Sequence, residues 1–185
     1  MVDYLNNLFQ VYKGTQNDLL KIQALSLRLT VEQTDVSYLD LKDFFIKKFN
    51  LWSVDTCVQI IPTIYSYGQN QVNKGYESFN IENHKFLVFL YKENSLFDKG
   101  IFSITLIINF IRLELRYGTI EKAEQLLEES LKVISPAQKD SFQYLIESRI
   151  GFAKKEYKVS LRKISTINPS DSIYYFPQYK IMLIK

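Results

Sequence analysis

Cys57 and His84 are the single cysteine and the single histidine of the chain. A thiolate activated by an imidazole is a nucleophile. This pair is therefore the one covalent chemistry the sequence could attempt. It would need the two side chains in contact and a third group to orient the ring, and nothing in the spacing requires either. Cys57 stands beside Val58 and Ile60-Ile61, the surroundings of a small buried hydrophobe, and that plainer reading is preferred. No catalytic residue is assigned, and the chain is read as a non-enzyme. His84 is expected on an exposed helix face between Asn83 and Lys85. One imidazole with scattered carboxylates is too small a ligand set for a metal. No metal and no cofactor are expected.

Three other groupings could recognise rather than react. Glu121, Glu124, Glu128 and Glu129 could form an acidic patch for a basic partner, although a solvated helix face is the simpler account. Lys154, Lys155, Lys158, Arg162 and Lys163 could form a basic ridge. Tyr65, Tyr67, Tyr76, Tyr91, Tyr117, Tyr144 and Tyr157 recur near helix ends, where a large stiff ring with a polar tip suits an interface. Packing between helices is the simpler account of any one of these rings. Gly68 and Gly75 lack the strand context and the Lys-Ser/Thr ending of a phosphate-binding loop.

Composition narrows the class of molecule. The chain has 185 residues, 46% hydrophobic and 23% charged, which is ordinary for a globular protein and argues against disorder. With only 6 Gly and 4 Pro, long helices are favoured over a turn-rich β fold. The 13 Tyr and 13 Phe suit gaps between packed helices. The net charge of +3 is too mild, and too interleaved with acidic residues, to argue for nucleic acid. One cysteine excludes an internal disulfide and points to a reducing compartment. The first residues show no signal-peptide pattern. The most apolar run, Ile101 to Ile111, is too short to span a bilayer and is followed by Arg112 and Glu114. A soluble, cytoplasmic protein without membrane contact is expected.

The elements that must position these residues are helices. Ile104, Ile107, Ile108, Ile111 and Leu115 follow a helical face, and Phe110, Leu113 and Tyr117 widen it. A helix apolar round most of its circumference must be covered on two sides. Ile120–Ile134 is amphipathic, with Ala123, Leu126, Leu127, Ser130, Leu131 and Ile134 inward. Ser135-Pro136 ends it and starts the next. Asp140–Phe152 carries Phe142, Leu145, Ile146, Ile150 and Phe152, and Tyr157–Ile167 turns Leu161, Ile164 and Ile167 inward. Upstream, Asp3–Tyr12 and Asn17–Leu29 read as a hairpin joined at Lys13-Gly14-Thr15. Helices are also expected over Tyr38–Phe49, Val54–Val72 with Pro62 early or at a kink, and Asn80–Glu93. Gly75 suits a helix stop. Loops are expected at Thr30–Ser37 and Asn94–Gly100, both too short to mark a domain boundary. Ser172–Lys185 reads as a last amphipathic helix without a hairpin partner.

Two of these hairpins repeat one another. Ile101 to Ile134 turns at Tyr117-Gly118-Thr119, and Pro136 to Ile167 turns at Lys154-Lys155-Glu156-Tyr157. The small residues Ala123 and Ser160 hold the same place, 37 positions apart (123 to 160), a spacing typical of α-helical repeats. The segment resembles tetratricopeptide repeats. In that family a turn glycine precedes a small residue by five positions, as Gly118 precedes Ala123. Leu127 and Ser130 then keep register, and Pro136 closes the unit. Tyr157, Ser160 and Ile164 keep the pattern in the second copy, closed by Asn168-Pro169. The first helices depart from it. Ile107, Phe110-Ile111 and Glu114, and then Tyr144, Glu147-Ser148 and Gly151, stand where the family carries Trp, Leu-Gly and Tyr.

From Tyr65 to Lys185 the order of segments is also similar to that of large, uncharacterised bacterial proteins containing such repeats. Val72-Asn73-Lys74-Gly75, Leu90-Tyr91, Phe97 through Ser103, and Tyr174-Tyr175 carry that likeness.

The resemblance implies an all-α, right-handed solenoid of antiparallel hairpins over residues 1–185, as one helical-repeat domain. Residues 1–97 would be irregular hairpins, and residues 98–185 the repeat-like hairpins with an unpaired last helix. Because solenoids end in polar caps, the chain is expected to be part of a longer array, or to self-associate through that helix. The expected function is a non-catalytic scaffold that binds a protein or peptide along a concave face lined by first helices. Asn109, Arg112, Arg116, Tyr144 and Arg149 are the expected lining residues, since Arg and Asn hold peptide backbone or carboxylate and Tyr adds area. A regulatory or nucleic-acid-binding array is the alternative.

Overall fold

The computed structural model describes residues 16–93 and 103–167. The expected segments Asp3–Tyr12, Asn94–Gly100 and Ser172–Lys185 lie outside the described residues. Among the described residues every regular element is helical, so the protein is all-α. The order is α1 (Asp18–Glu32), α2 (Asp35–Lys47), a 3-10 turn (Phe49–Leu51), α3 (Val54–Asn73), α4 (Ser78–Lys92), α5 (Ile104–Tyr117), α6 (Ile120–Val133), α7 (Pro136–Ala153) and α8 (Tyr157–Ser165). The chain divides into two compact units between Asn83 and His84, inside α4.

Side-chain caps start most of these helices. Asn17 Oδ1 accepts from the N–H groups of Leu19 and Leu20, satisfying donors that a helix start leaves orphaned. The expected loop at Thr30–Ser37 is much shorter than its polar composition suggests. α1 runs on to Glu32, Gln33 takes a left-handed conformation (φ 48°), and Thr34 forms a capping box with Ser37. A two-residue connection suffices because the reciprocal Thr34–Ser37 bonds close the end of α2 at once.

In the first unit, Tyr38 of α2 stacks on Tyr67 of α3 at 5.0 Å, with Phe79 edge-on to both. Trp52 donates its Nε1 hydrogen to the Phe45 carbonyl at 2.9 Å while its ring packs on Phe45, so its one polar atom is satisfied in the core. Pro62 lies within α3 but faces water, where solvent can serve the carbonyl its ring leaves without a helical donor. α3 ends as expected at Gly75 (φ 98°). The Tyr76 N–H reaches the Gln71 carbonyl and the Gly75 N–H the Val72 carbonyl, a Schellman motif.

In the second unit, α5 packs on α6 and α7, and α7 on α6 and α8. α5 buries Leu106, Ile107, Ile108, Phe110, Ile111, Leu113 and Glu114, the two-sided burial that its apolar circumference requires. The connection Gly118-Thr119 is too short for anything but an antiparallel hairpin. α6 and α8 begin at Ile120 and Tyr157, again 37 positions apart (120 to 157). Ala123 and Ser160 are both buried. At the second position the Ser160 hydroxyl donates to the Ser148 carbonyl at 2.5 Å, and Gly151 lies against the Ser160 backbone. Small residues thus bring α7 and α8 close enough to share a hydrogen bond. Phe152 and Leu161, expected inward, are 50% and 57% exposed. Among the described residues no helix covers either side chain.

Candidate functional site

Asn109, Arg112 and Arg116 fall at i, i+3 and i+7 of α5 and so share one stripe. Asn109 and Arg112 are half-buried and Arg116 is exposed, its guanidinium 5.2 Å from the Tyr117 ring centre. Arg149, on α7, is near enough to Arg112 for the two charges to interact. Its own burial, and then the positive charge of Arg112, push its guanidinium down to about 10. That is still far above neutral, so Arg149 keeps its charge. Arg149 of α7 thus lies within electrostatic reach of Arg112 of α5.

Tyr144 does not join them. It lies about 140° round α7 from Arg149 at 3.6 residues per turn. Its ring sits beneath Lys163 Nζ of α8 at 5.4 Å.

A second arrangement was not visible in the sequence. Glu114, in the middle of the apolar helix α5, is buried, with one carboxylate oxygen 3.0 Å from His84 Nε2. The other oxygen occupies the space that a Cβ on Gly118 would need. The His84 ring also lies beside Phe110 and Tyr117. His84 is therefore not on an exposed face; its side chain is 14% exposed. The available signal was a carboxylate on an apolar helix one turn before a glycine. Such a carboxylate must find a buried donor, and the chain has one imidazole to offer.

Cys57 is wholly buried in α3, as a small hydrophobe would be. Among the described residues, no group of three or more His, Cys, Asp or Glu side chains could hold a metal. No helix there is long and apolar enough to cross a membrane.

The acidic run of α6 is divided by its contacts. Glu129 accepts hydrogen bonds from Tyr91 and Gln125, at 2.9 and 2.8 Å. Glu124 pairs with Lys154 at 2.6 Å. The basic ridge is interrupted in the same way, because Lys154 is taken by Glu124 and Lys163 by Glu147, the latter at 2.5 Å. A groove of about 580 Å³ opens where α6, α7 and α8 meet. Leu127 and Leu131 of α6, Ile150 and Gly151 of α7, and Val159 of α8 supply its apolar surface.

The tyrosines sort by burial. Tyr65 and Tyr67 are core residues. Tyr91 is held by Glu129 and by Lys122 over its ring. Tyr76 and Tyr157 are exposed, Tyr157 edge-on to Phe152 at 5.3 Å.

No family model matches the chain, and no curated protein or solved structure matches it. What it does must be argued from its own side chains.

Proposed function

We propose that the protein is a non-catalytic interaction scaffold. In this reading the hairpins α5–α6 and α7–α8 are tetratricopeptide-like units of a right-handed solenoid, and a peptide or partner helix lies along the face of the first helices α5 and α7. The observation that carries it is the stripe of Asn109, Arg112 and Arg116 along α5, with the charge of Arg149 on α7 within electrostatic reach of Arg112. An acidic peptide or a chain-terminal carboxylate suits such a stripe, because guanidinium forks bind carboxylates bidentately. Asn109 and Arg116 extend the same stripe and suit the flanking peptide backbone.

The test is affinity capture from a native lysate with nuclease, at low and high salt, comparing the wild-type chain with Arg112→Glu/Arg116→Glu. The expected result is a discrete protein that survives salt and nuclease on the wild type and is lost on the variant, with far-UV circular dichroism unchanged. Retention of that protein by the variant removes the arginines from the site. Recovery of nucleic acid alone moves the function to the electrostatic alternative.

A further inference from the structure

The groove between α6, α7 and α8 uses none of the arginine stripe, and its charge is of the opposite sign. Four carboxylates line it, Glu124, Glu128, Glu147 and Glu156, against two ammonium groups, Lys154 and Lys163. The two lysines are committed. Lys154 bridges to Glu124 and Lys163 to Glu147, whose other oxygen accepts a hydrogen bond from Gln143 at 2.8 Å. Glu128 and Glu156 form no ion pair among the described residues, so the groove carries a net charge of about −2 at neutral pH. Between these charges the surface is apolar, and Leu127 and Ile150 are buried at its base. Its volume of about 580 Å³ lies within the range of built binding sites. The whole chain is net positive, at +3, so this is a local reversal of sign.

We propose that this groove docks a basic amphipathic helix of a partner protein. Its apolar residues would rest on Leu127, Leu131, Ile150 and Val159, and its lysines or arginines would meet Glu128 and Glu156. The apolar strip between the helix ridges gives the area, and the two carboxylates outside the ion pairs give the choice of sign and orientation. The same charges argue against an acidic segment, which would bring like charge to the rim.

The experiment is fluorescence anisotropy on the full chain with two labelled helical peptides of equal length and identical leucine face, one with lysines and one with glutamates on the polar face. The lysine peptide is expected to bind and the glutamate peptide not to. Glu128→Lys/Glu156→Lys is expected to weaken the lysine peptide by about tenfold or more. Both positions are exposed, so the fold should survive, and the melting temperature checks that it does. Arg112→Glu/Arg116→Glu is expected to leave this binding unchanged, which separates the groove from the arginine face. Equal affinity for the two peptides, or affinity indifferent to the Glu128 and Glu156 reversals, overturns the proposal. A sedimentation mass that rises with concentration and is abolished by those reversals also overturns it, since the occupant is then a second copy.

Discussion

The Glu114 carboxylate reaches His84 Nε2 with one oxygen and fills the missing side chain of Gly118 with the other. The small size of Gly118 is needed for space, because a side chain there would meet the Glu114 carboxylate. Gly118→Ala is expected to expel the carboxylate from the His84 contact and to cost about 1–3 kcal/mol in urea denaturation. In a Glu114→Ala background the same substitution should cost clearly less, because only the Glu114 carbonyl oxygen, 3.1 Å from the ideal Cβ, then crowds it. An equal cost in both backgrounds would sink the relationship, because residues that share a site must couple.

The turn between α7 and α8 repeats the hydrogen bonds of the turn after α3. The Glu156 N–H reaches the Gly151 carbonyl and the Lys155 N–H the Phe152 carbonyl. Here, however, Lys155 rather than glycine adopts the left-handed conformation, at φ 65°. Lys155→Gly should raise stability by about 1 kcal/mol, since a Cβ in that region is sterically penalised. A lower melting temperature would mean that the Lys155 side chain contributes more than its backbone conformation costs.

Burial first, and then the 2.6 Å hydrogen bond it donates to Asp35, hold the Tyr67 phenol above its ordinary value of 10.0. Tyr38 is raised as well, by burial first and then by Glu82 and its other acidic neighbours. The folded chain therefore keeps phenolic protons at a pH where the unfolded chain has lost them. The stability this represents is fully present below about pH 10 and is lost as pH rises beyond it. Tyr67→Phe should cost about 1 kcal/mol at neutral pH and flatten the alkaline fall in stability. Denaturation curves at neutral pH and above pH 10 check both, and an unchanged alkaline slope counts against the assignment.

Arg112→Glu should separate binding from stability. It replaces the repulsion felt by Arg149 with an attraction, so the variant is expected to be as stable as wild type or up to about 1 kcal/mol more stable. The scaffold reading expects the same variant to bind its partner less well. A clear loss of stability would show that Arg112 contributes to packing rather than to recognition.

The parts of the fold legible in the sequence were those decided locally. The Asn17 start, the Gly75 stop, Pro136 in the first turn of α7 and the common register of Ala123 and Ser160 all follow from backbone geometry and from the room between adjacent helices. Contacts made through space were not legible. Helical spacing put Leu161 on an inward face, but burial depends on whether another helix lies there, and among the described residues none does. His84 looked solvated beside Asn83 and Lys85 because its partner is 30 positions away, on α5. For the candidate site, the stripe of Asn109, Arg112 and Arg116 followed from spacing. The arrival of Arg149 within electrostatic reach of Arg112, and the departure of Tyr144 toward Lys163, depended on how α7 is rotated about its axis, which periodicity leaves open.

That rotation has a consequence. α7 presents Arg149 toward α5 and Glu147, two positions earlier, into the groove beside α8, so one rod is a wall of both proposed surfaces. Its seam with α8, fixed by the Ser160–Ser148 hydrogen bond, makes the two helices a single lever. A substitution that loosened this seam would therefore disturb both walls together, whereas one confined to a single face leaves the other wall standing.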